Sequence, residues 1–105
     1  IIVGVERGFI TREQGAERLL KIVEFLNKAD SYHGIWAHWM DGATGKTIPF
    51  SRKDDGADLV ESAFMFEGLL AAHQYFTHDN PTESDTRADQ YPVASGRVGL
   101  VHPWR

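Results

Sequence analysis

The sequence predicts a mainly α-helical chain, with one short β-hairpin between two helices of different character. The first helix carries its apolar residues on one broad face, and the second is apolar on nearly every side. An aromatic-rich segment with an Asp-Gly turn separates them. A helix with one apolar face packs at a surface, whereas a helix that is apolar all round is surrounded by other helices. We therefore expect layered helices and a core larger than this chain can build.

Composition and charge exclude several classes of protein. The chain has 105 residues, of which 42% are hydrophobic and 25% charged, as in ordinary globular domains. Its net charge of −4 offers no basic stripe for phosphate backbones, so we expect no nucleic-acid partner. The absence of cysteine excludes disulfides and thiolate chemistry. The opening residues resemble neither a signal peptide nor a membrane span, and we predict no span.

The first helix is predicted from its start signal and its periodicity. Thr11 and Gln14 have the spacing of a capping box, which places the first helical residue near Arg12. Apolar residues then recur every three to four positions as far as Lys28, and charged residues occupy most of the remaining face. The apolar set is Ala16, Leu19, Leu20, Ile22, Val23, Phe25 and Leu26.

A β-hairpin is predicted after this helix. Residues 29–33 break the helical pattern, and residues 34–40 are rich in aromatic and β-branched side chains. The turn falls at residues 41–45, where Asp-Gly and a second glycine supply positive backbone angles, and residues 46–50 form the returning strand.

The second helix is predicted over residues 55–76, and its apolar side chains surround the axis. Apolar residues occupy different sides of this helix. One set is Val60, Ala63, Phe64, Leu70 and Ala71, and the other is Leu59, Phe66, Leu69 and Ala72. One further helix and a hairpin cannot cover such an element. We therefore expect a fragment of a larger helical protein, with chain missing at both ends.

Three motifs in this order resemble the bacterial glucoamylase-like family of glycoside hydrolases, which includes endo-β-1,2-glucanases. They read HGIWAHWMDGATGK, DDGADLVESAF and GLLAAHQYF, and they follow GVERGFITREQGAERLLKIVEFL, which is also similar to the family. The resemblance implies an (α/α) six-hairpin toroid with a sugar-binding cleft. Residues 12–28 suit its outer ring and residues 55–76 its inner ring. It also implies an enzyme without cofactor, periplasmic or secreted in its full-length form.

The tail departs from the family. Residues 77–83 read as a polar loop around Asn80-Pro81, and residues 85–105 have neither helical nor alternating periodicity. We therefore assign residues 1–84 to a partial toroid and residues 85–105 to an irregular tail. Codons allowed for residues 98–104, read one base later, give WDWFTRG, which resembles the tryptophan-rich segment expected in the family. We hypothesise a change of reading frame near Glu83 to Asp85.

Asp58 and Glu61 are the candidate catalytic residues. They stand three apart near the start of the second helix, so their carboxyl groups share one face. Glycoside hydrolysis needs one protonated carboxyl and one ionised carboxylate. By resemblance both residues match the family's DxxE segment, and Asp55 is a candidate for substrate binding. The alternative is that acidic residues here only stabilise a helix N-terminus, as they often do.

Aromatic residues of the hairpin are candidates for a platform on which sugar rings stack. Its members would be Trp36, Trp39, Tyr32 and Phe50, with the polar neighbours His33, His38 and Asp41. The alternative is cross-strand packing. His33 and His38 fall on opposite faces of a strand, so we predict no metal site.

Two functions are compatible with these patterns. The first is a fragment of a glycoside hydrolase that acts on β-linked glucans of the β-1,2 type, inactive alone because its cleft needs several hairpins. The second is a small carbohydrate-binding or interaction domain that uses the aromatic hairpin. Both predict a glucan or oligosaccharide partner and no cofactor, and the sequence leaves the oligomeric state open.

Overall fold

The computed structural model describes residues 1–32, 35–49 and 57–94, which contain four helices and one pair of short strands. The strands are antiparallel, with Ser31 opposite Trp36 and Tyr32 opposite Ile35. The predicted mainly α class with a short hairpin between two long helices is confirmed. The elements are α1 (Ile2–Glu6), α2 (Arg12–Lys28), β1 (Ser31–Tyr32), β2 (Ile35–Trp36), α3 (Leu59–Tyr75) and α4 (Pro81–Ala94).

Helix α2 begins and ends as its sequence predicts. The Thr11 hydroxyl accepts a hydrogen bond from the Gln14 backbone N–H, and the Gln14 side chain accepts one from the Thr11 N–H. Both bonds satisfy backbone donors that have no partner within the helix. The buried face of α2 forms the centre of the core with residues from the other elements. It consists of Gly15, Ala16, Leu19, Val23 and Leu26.

Helix α3 buries only one side against this core. Leu69 and Ala72 are buried, whereas Leu59 is 70% exposed and Phe64 is 63% exposed. The described residues therefore leave much of the apolar surface of α3 uncovered, in line with the prediction. Although α3 is apolar, no helix among the described residues is long and apolar enough to cross a membrane. Of its predicted start, residues 55 and 56 lie outside the described residues.

The hairpin differs from the prediction in its strands. The paired strands are β1 and β2, and residues 46–49 form no strand, although Met40 and Thr47 make an isolated bridge. The returning segment keeps two backbone bonds to the opposite side of the turn: the Ile48 N–H donates to the Trp39 carbonyl, and the Asp41 N–H donates to the Lys46 carbonyl. It is also joined to Asp30, two residues after α2, where the Thr47 N–H donates to the Asp30 carboxylate and the Asp30 N–H donates to the Gly45 carbonyl. The pairing beyond the turn is therefore short, and the Asp30 bonds tie it to the end of α2.

The prediction of an irregular chain after Asn80 was wrong over residues 81–94, which form α4. The Asn80 side chain accepts a hydrogen bond from the Glu83 N–H at 2.9 Å, so Asn80 caps a helix that starts at Pro81. Asn at the cap, Pro in the first position and Glu in the third form a helix-start signal, although Asn and Pro are also typical of loops. The rest of the predicted tail lies outside the described residues, and the frame change stays a prediction for the gene sequence to test.

A buried ion pair joins α2 to α4, and we call the cluster of Arg12, Asn80 and Glu83 the α2–α4 junction. Glu83 is only 2% exposed and accepts two hydrogen bonds from the Arg12 guanidinium and one from the Asn80 amide. These bonds, with the Arg12 contribution largest, lower the pKa of Glu83 to about 2. The carboxylate therefore stays ionised inside the fold and fixes α4 against α2.

Candidate active site

Asp58 connects the N-terminus of α3 to the hairpin. One carboxylate oxygen accepts a hydrogen bond from the Glu61 N–H at 2.9 Å, and the other lies 2.7 Å from Nδ1 of His38. The Asp58 N–H in turn donates to the carbonyl of Trp36. Asp58 is thus the N-cap of α3, as expected if it stabilises the start of the helix. It also contacts the side chain of His38 from the hairpin.

The electrostatics of Asp58 favour its ionised form. Its pKa is lowered, first by the hydrogen bond from the Glu61 backbone N–H and then by the His38 ring. A group that donates a proton to a leaving oxygen must be protonated when the substrate binds. Asp58 in this arrangement is suited to a role as a fixed anion and not as the proton donor.

Glu61 lies in the first turn of α3 with an exposed side chain, at the edge of a groove of about 460 Å³. Its carboxyl group is on the same face as Asp58, as the spacing predicts. Most of the groove wall is apolar, so any chain or ligand that covers it removes water from the carboxyl group. The lining residues are Ile22, Phe25, Leu26, Trp36, Ala37, His38, Met40, Glu61, Ser62 and Met65.

Trp36 does not provide the exposed sugar platform that its hairpin position suggested. The residue is only 4% exposed, and its ring packs on Phe66 with centroids 5.1 Å apart. Its indole N–H donates to the Leu26 carbonyl, and its backbone N–H donates to the Ser62 hydroxyl. The ring belongs to the core because α2 and α3 both contact it. Ser62, which the sequence analysis did not single out, ties the strand to α3.

Trp39 and His38 remain candidates for sugar contact. Trp39 is 50% exposed, and its ring lies 4.9 Å from the His38 ring at an interplanar angle of 35°. The predicted polar neighbour Asp41 is engaged in the turn, where the Ala43 and Thr44 N–H groups donate to its carboxylate and lower its pKa. The structure therefore brings Trp39, His38, Asp58 and Glu61 to one end of the hairpin and α3.

Other predicted positions lie outside the described residues: Asp55, His33 and Phe50, together with the side chain of Tyr32. Within the ranges that the structure covers, no three His, Asp or Glu side chains form a group that could hold a metal ion. The contact between His38 and Asp58 was not foreseen, because residues 20 apart on different elements share no sequence signal.

Comparisons with known proteins identify the class of enzyme that the chain resembles. No protein-family model matches the chain. An exo β-1,2-glucooligosaccharide sophorohydrolase from Parabacteroides distasonis is 56% identical over 88 residues, which are 83% of this chain and 12% of that protein. A solved endo-β-1,2-glucanase from Chitinophaga pinensis is 54% identical with a TM-score of 0.81, over 88% of this chain and 22% of that one. This chain is a homologue of part of the β-1,2-glucan-acting glycoside hydrolases.

The glucoamylase-like resemblance and the (α/α) toroid fold are thereby confirmed. A proposed glucoamylase from Bacteroides uniformis is 76% identical with a TM-score of 0.84, over 88% of this chain and 23% of that one. The chain spans less than a quarter of the length of each of these relatives. Over that part of their length the chain is similar to glucoamylase-like enzymes, and the alternative of a separate carbohydrate-binding domain is not favoured.

Proposed function

We propose that this glucoamylase-like chain forms one acidic corner of a cleft that hydrolyses β-1,2-linked glucans, with Glu61 as the proton donor. The observation that carries the proposal is that Asp58 and Glu61 lie in different surroundings. Asp58 is held ionised by two donors, whereas the Glu61 side chain is exposed beside the groove. The identity to enzymes named for β-1,2-glucans supports the substrate class.

The chemistry requires a proton for the departing glycosidic oxygen and a second group that activates water or attacks the anomeric carbon. Glu61 supplies the first function in this proposal. The predicted assignment of Asp58 as a catalytic residue stays a prediction, as does a substrate contact for Asp55. Trp39 and His38 are proposed to contact a glucose ring, because an exposed indole face and an adjacent polar ring match the apolar and hydroxylated parts of a pyranose.

The 105-residue chain is expected to be inactive alone. A cleft in a toroid is assembled from several hairpins, and the exposed apolar side of α3 needs further helices to cover it. We also propose that the complete enzyme is exported, as the family resemblance implies.

A chimera tests the proposal. Residues 1–84 of this chain replace the matched segment of the Chitinophaga pinensis endo-β-1,2-glucanase, and release of oligosaccharides from β-1,2-glucan is measured. We expect activity within about tenfold of the host, and a loss of about 10²- to 10⁴-fold in the Glu61→Gln variant. Glu67→Gln, a change to an exposed residue of the same helix, is the matched control and should leave activity unchanged.

A folded chimera without activity, beside an active host, contradicts the proposal. Equal activity of the Glu61→Gln and Glu67→Gln variants contradicts the assignment of Glu61. Cleavage of β-1,3-glucan in preference to β-1,2-glucan contradicts the substrate class.

A further inference from the structure

His38 is held next to α3 by the backbone as well as by its side chain. Ala37 and Ala57 form an antiparallel bridge, and the Asp58 N–H donates to the Trp36 carbonyl at 2.8 Å. Both contacts involve the residues just before His38, and they set the distance between the hairpin and the helix start. The separation of 2.7 Å between Nδ1 of His38 and the Asp58 carboxylate follows from this backbone pairing.

The Asp58 contact determines which nitrogen of His38 carries the hydrogen. An ionised carboxylate can only accept, so Nδ1 of His38 must be the donor. In the neutral ring Nε2 then has a free lone pair and acts as an acceptor. Among the described residues Nε2 has no hydrogen-bond partner, the side chain is 48% exposed, and the ring lines the groove together with Glu61.

The face of the His38 ring also contacts a neighbouring side chain. Trp39 lies against it with centroids 4.9 Å apart, so contacts at the Nδ1 edge and at the face limit rotation of the imidazole. A pre-oriented acceptor loses less conformational freedom when it binds a ligand. The half-exposed indole beside it offers the apolar surface that a pyranose ring needs.

We propose that Asp58 is a positioning residue that orients His38, and that Nε2 of His38 accepts a hydrogen bond from a glucose hydroxyl at the mouth of the groove. This inference rests on the proposed function, and it assigns Asp58 a role distinct from proton transfer. The substrate contact is made by His38, and Asp58 acts through it.

A double-mutant cycle in the chimera separates the two residues. Asp58→Asn preserves the side-chain oxygen that caps Glu61 but cannot enforce an Nδ1 hydrogen on His38. His38→Asn places an amide near the Nδ1 position and has no group in place of Nε2. Each single variant and the double variant should raise KM for a β-1,2-glucooligosaccharide about tenfold, because all three lose the same hydrogen bond. The value of kcat should change less than KM.

Three results overturn the inference. The factors by which the single variants raise KM could multiply in the double variant, which would mean that Asp58 and His38 act independently. Asp58→Asn could lower kcat by about 10³-fold or more with KM unchanged, which makes Asp58 itself catalytic. His38→Asn could match the unmodified chimera, which removes His38 from the substrate.

A second readout works even when the proposed function fails. The side-chain ¹⁵N shifts of His38 in the full 105-residue chain report its tautomer, and we expect the Nδ1–H form, lost in Asp58→Asn. Addition of sophorotriose should then shift Nε2 of His38 in the chimera carrying Glu61→Gln, where the cleft is complete, and leave it unchanged when Asp58→Asn is added. An Nε2–H tautomer, or no shift at Nε2 with sophorotriose in excess, contradicts the inference whether or not the chimera hydrolyses glucan.

Discussion

The starts of α3 and α4 use the same local motif with different outcomes. Each helix begins with an Asx cap followed three residues later by glutamate: Asp58 and Glu61 in α3, Asn80 and Glu83 in α4. Glu83 is bonded by Arg12 and by its own cap, and it is buried. Glu61 is exposed beside a groove. The tertiary partner, and not the local sequence, decides whether the glutamate closes a junction or remains available for a substrate.

The comparison also separates a perturbed pKa from a functional site. The largest resolved shift among the described residues belongs to Glu83, whose pKa is about 2, and this residue only joins two helices. Structural ion pairs perturb carboxyl groups as strongly as active sites do. The catalytic assignment therefore rests on the open position of Glu61, on the hydrogen bonds that hold Asp58 ionised, and on homology.

The largest expected effect on stability comes from removing the cation of the α2–α4 junction. Arg12→Met keeps an apolar stem of similar length but removes the guanidinium, which lies over the Tyr75 and Phe76 rings, and leaves Glu83 buried without its cation. We expect a loss of about 3 kcal/mol in the free energy of unfolding, measured by urea denaturation of the 105-residue chain. Arg18→Met, at an exposed position of the same helix, is the control. Equal losses in both variants would show that the junction does not stabilise the fold.

The junction should also make stability depend on pH. The pKa of Glu83 falls from an ordinary 4.5 to about 2 on folding, so its contribution is complete above about pH 5 and disappears as the pH falls toward 2. Melting temperatures should decrease between pH 7 and pH 2. The corresponding loss in the free energy of unfolding is about 3 kcal/mol. Glu83→Gln should flatten the decrease and leave a smaller slope from Asp41 and Asp58, whose pKa values are also lowered. An unchanged slope in Glu83→Gln contradicts this assignment.

A smaller effect is expected at the base of the hairpin that carries His38. Gly45 has a φ of +75°, and a Cβ added there would lie 2.8 Å from Cα of Ala29. Gly45→Ala should therefore lower the free energy of unfolding by about 2 kcal/mol. Gly42→Ala in the same turn meets no atom within 4 Å and should be nearly neutral. Similar urea midpoints for the two variants would contradict the observed turn.

The smallest effect on stability is expected at the acidic corner itself. Glu61 is exposed and has no cation partner among the described residues, so Glu61→Gln should change the free energy of unfolding by less than about 0.5 kcal/mol. The same urea denaturation experiment measures it. A loss comparable to that of Arg12→Met would make Glu61 a structural residue like Glu83.

Local sequence signals predicted α2 best and the hairpin less well. The capping box at Thr11 and Gln14 and the regular apolar spacing are contained within one element, so the bounds of α2 were correct. The strand positions depend on bonds between Asp30 and residues that follow the turn, which no local pattern encodes. Helix α4 was missed for a different reason, because its start signal at Asn80 was present but was interpreted as a loop.

The site was predicted as a set of residues and not as a geometry. Spacing placed Asp58 and Glu61 on one face, but it gave no sign that Asp58 would bond to His38. Aromatic content suggested that Trp36 and Trp39 act together, whereas the structure buries the first and exposes the second. The burial of Trp36 depends on its contacts with Leu26 of α2 and Phe66 of α3, which are distant from each other in sequence.

The dependence of hydrolysis on the leaving group tests most directly whether Glu61 donates the proton. The chimera and its Glu61→Gln variant are compared on β-1,2-glucan and on an aryl β-sophoroside whose dinitrophenolate departs without protonation. The account predicts a loss of about 10²- to 10⁴-fold on glucan and less than about tenfold on the aryl substrate. An equal loss of kcat/KM on both substrates would contradict the assignment of Glu61 as the proton donor.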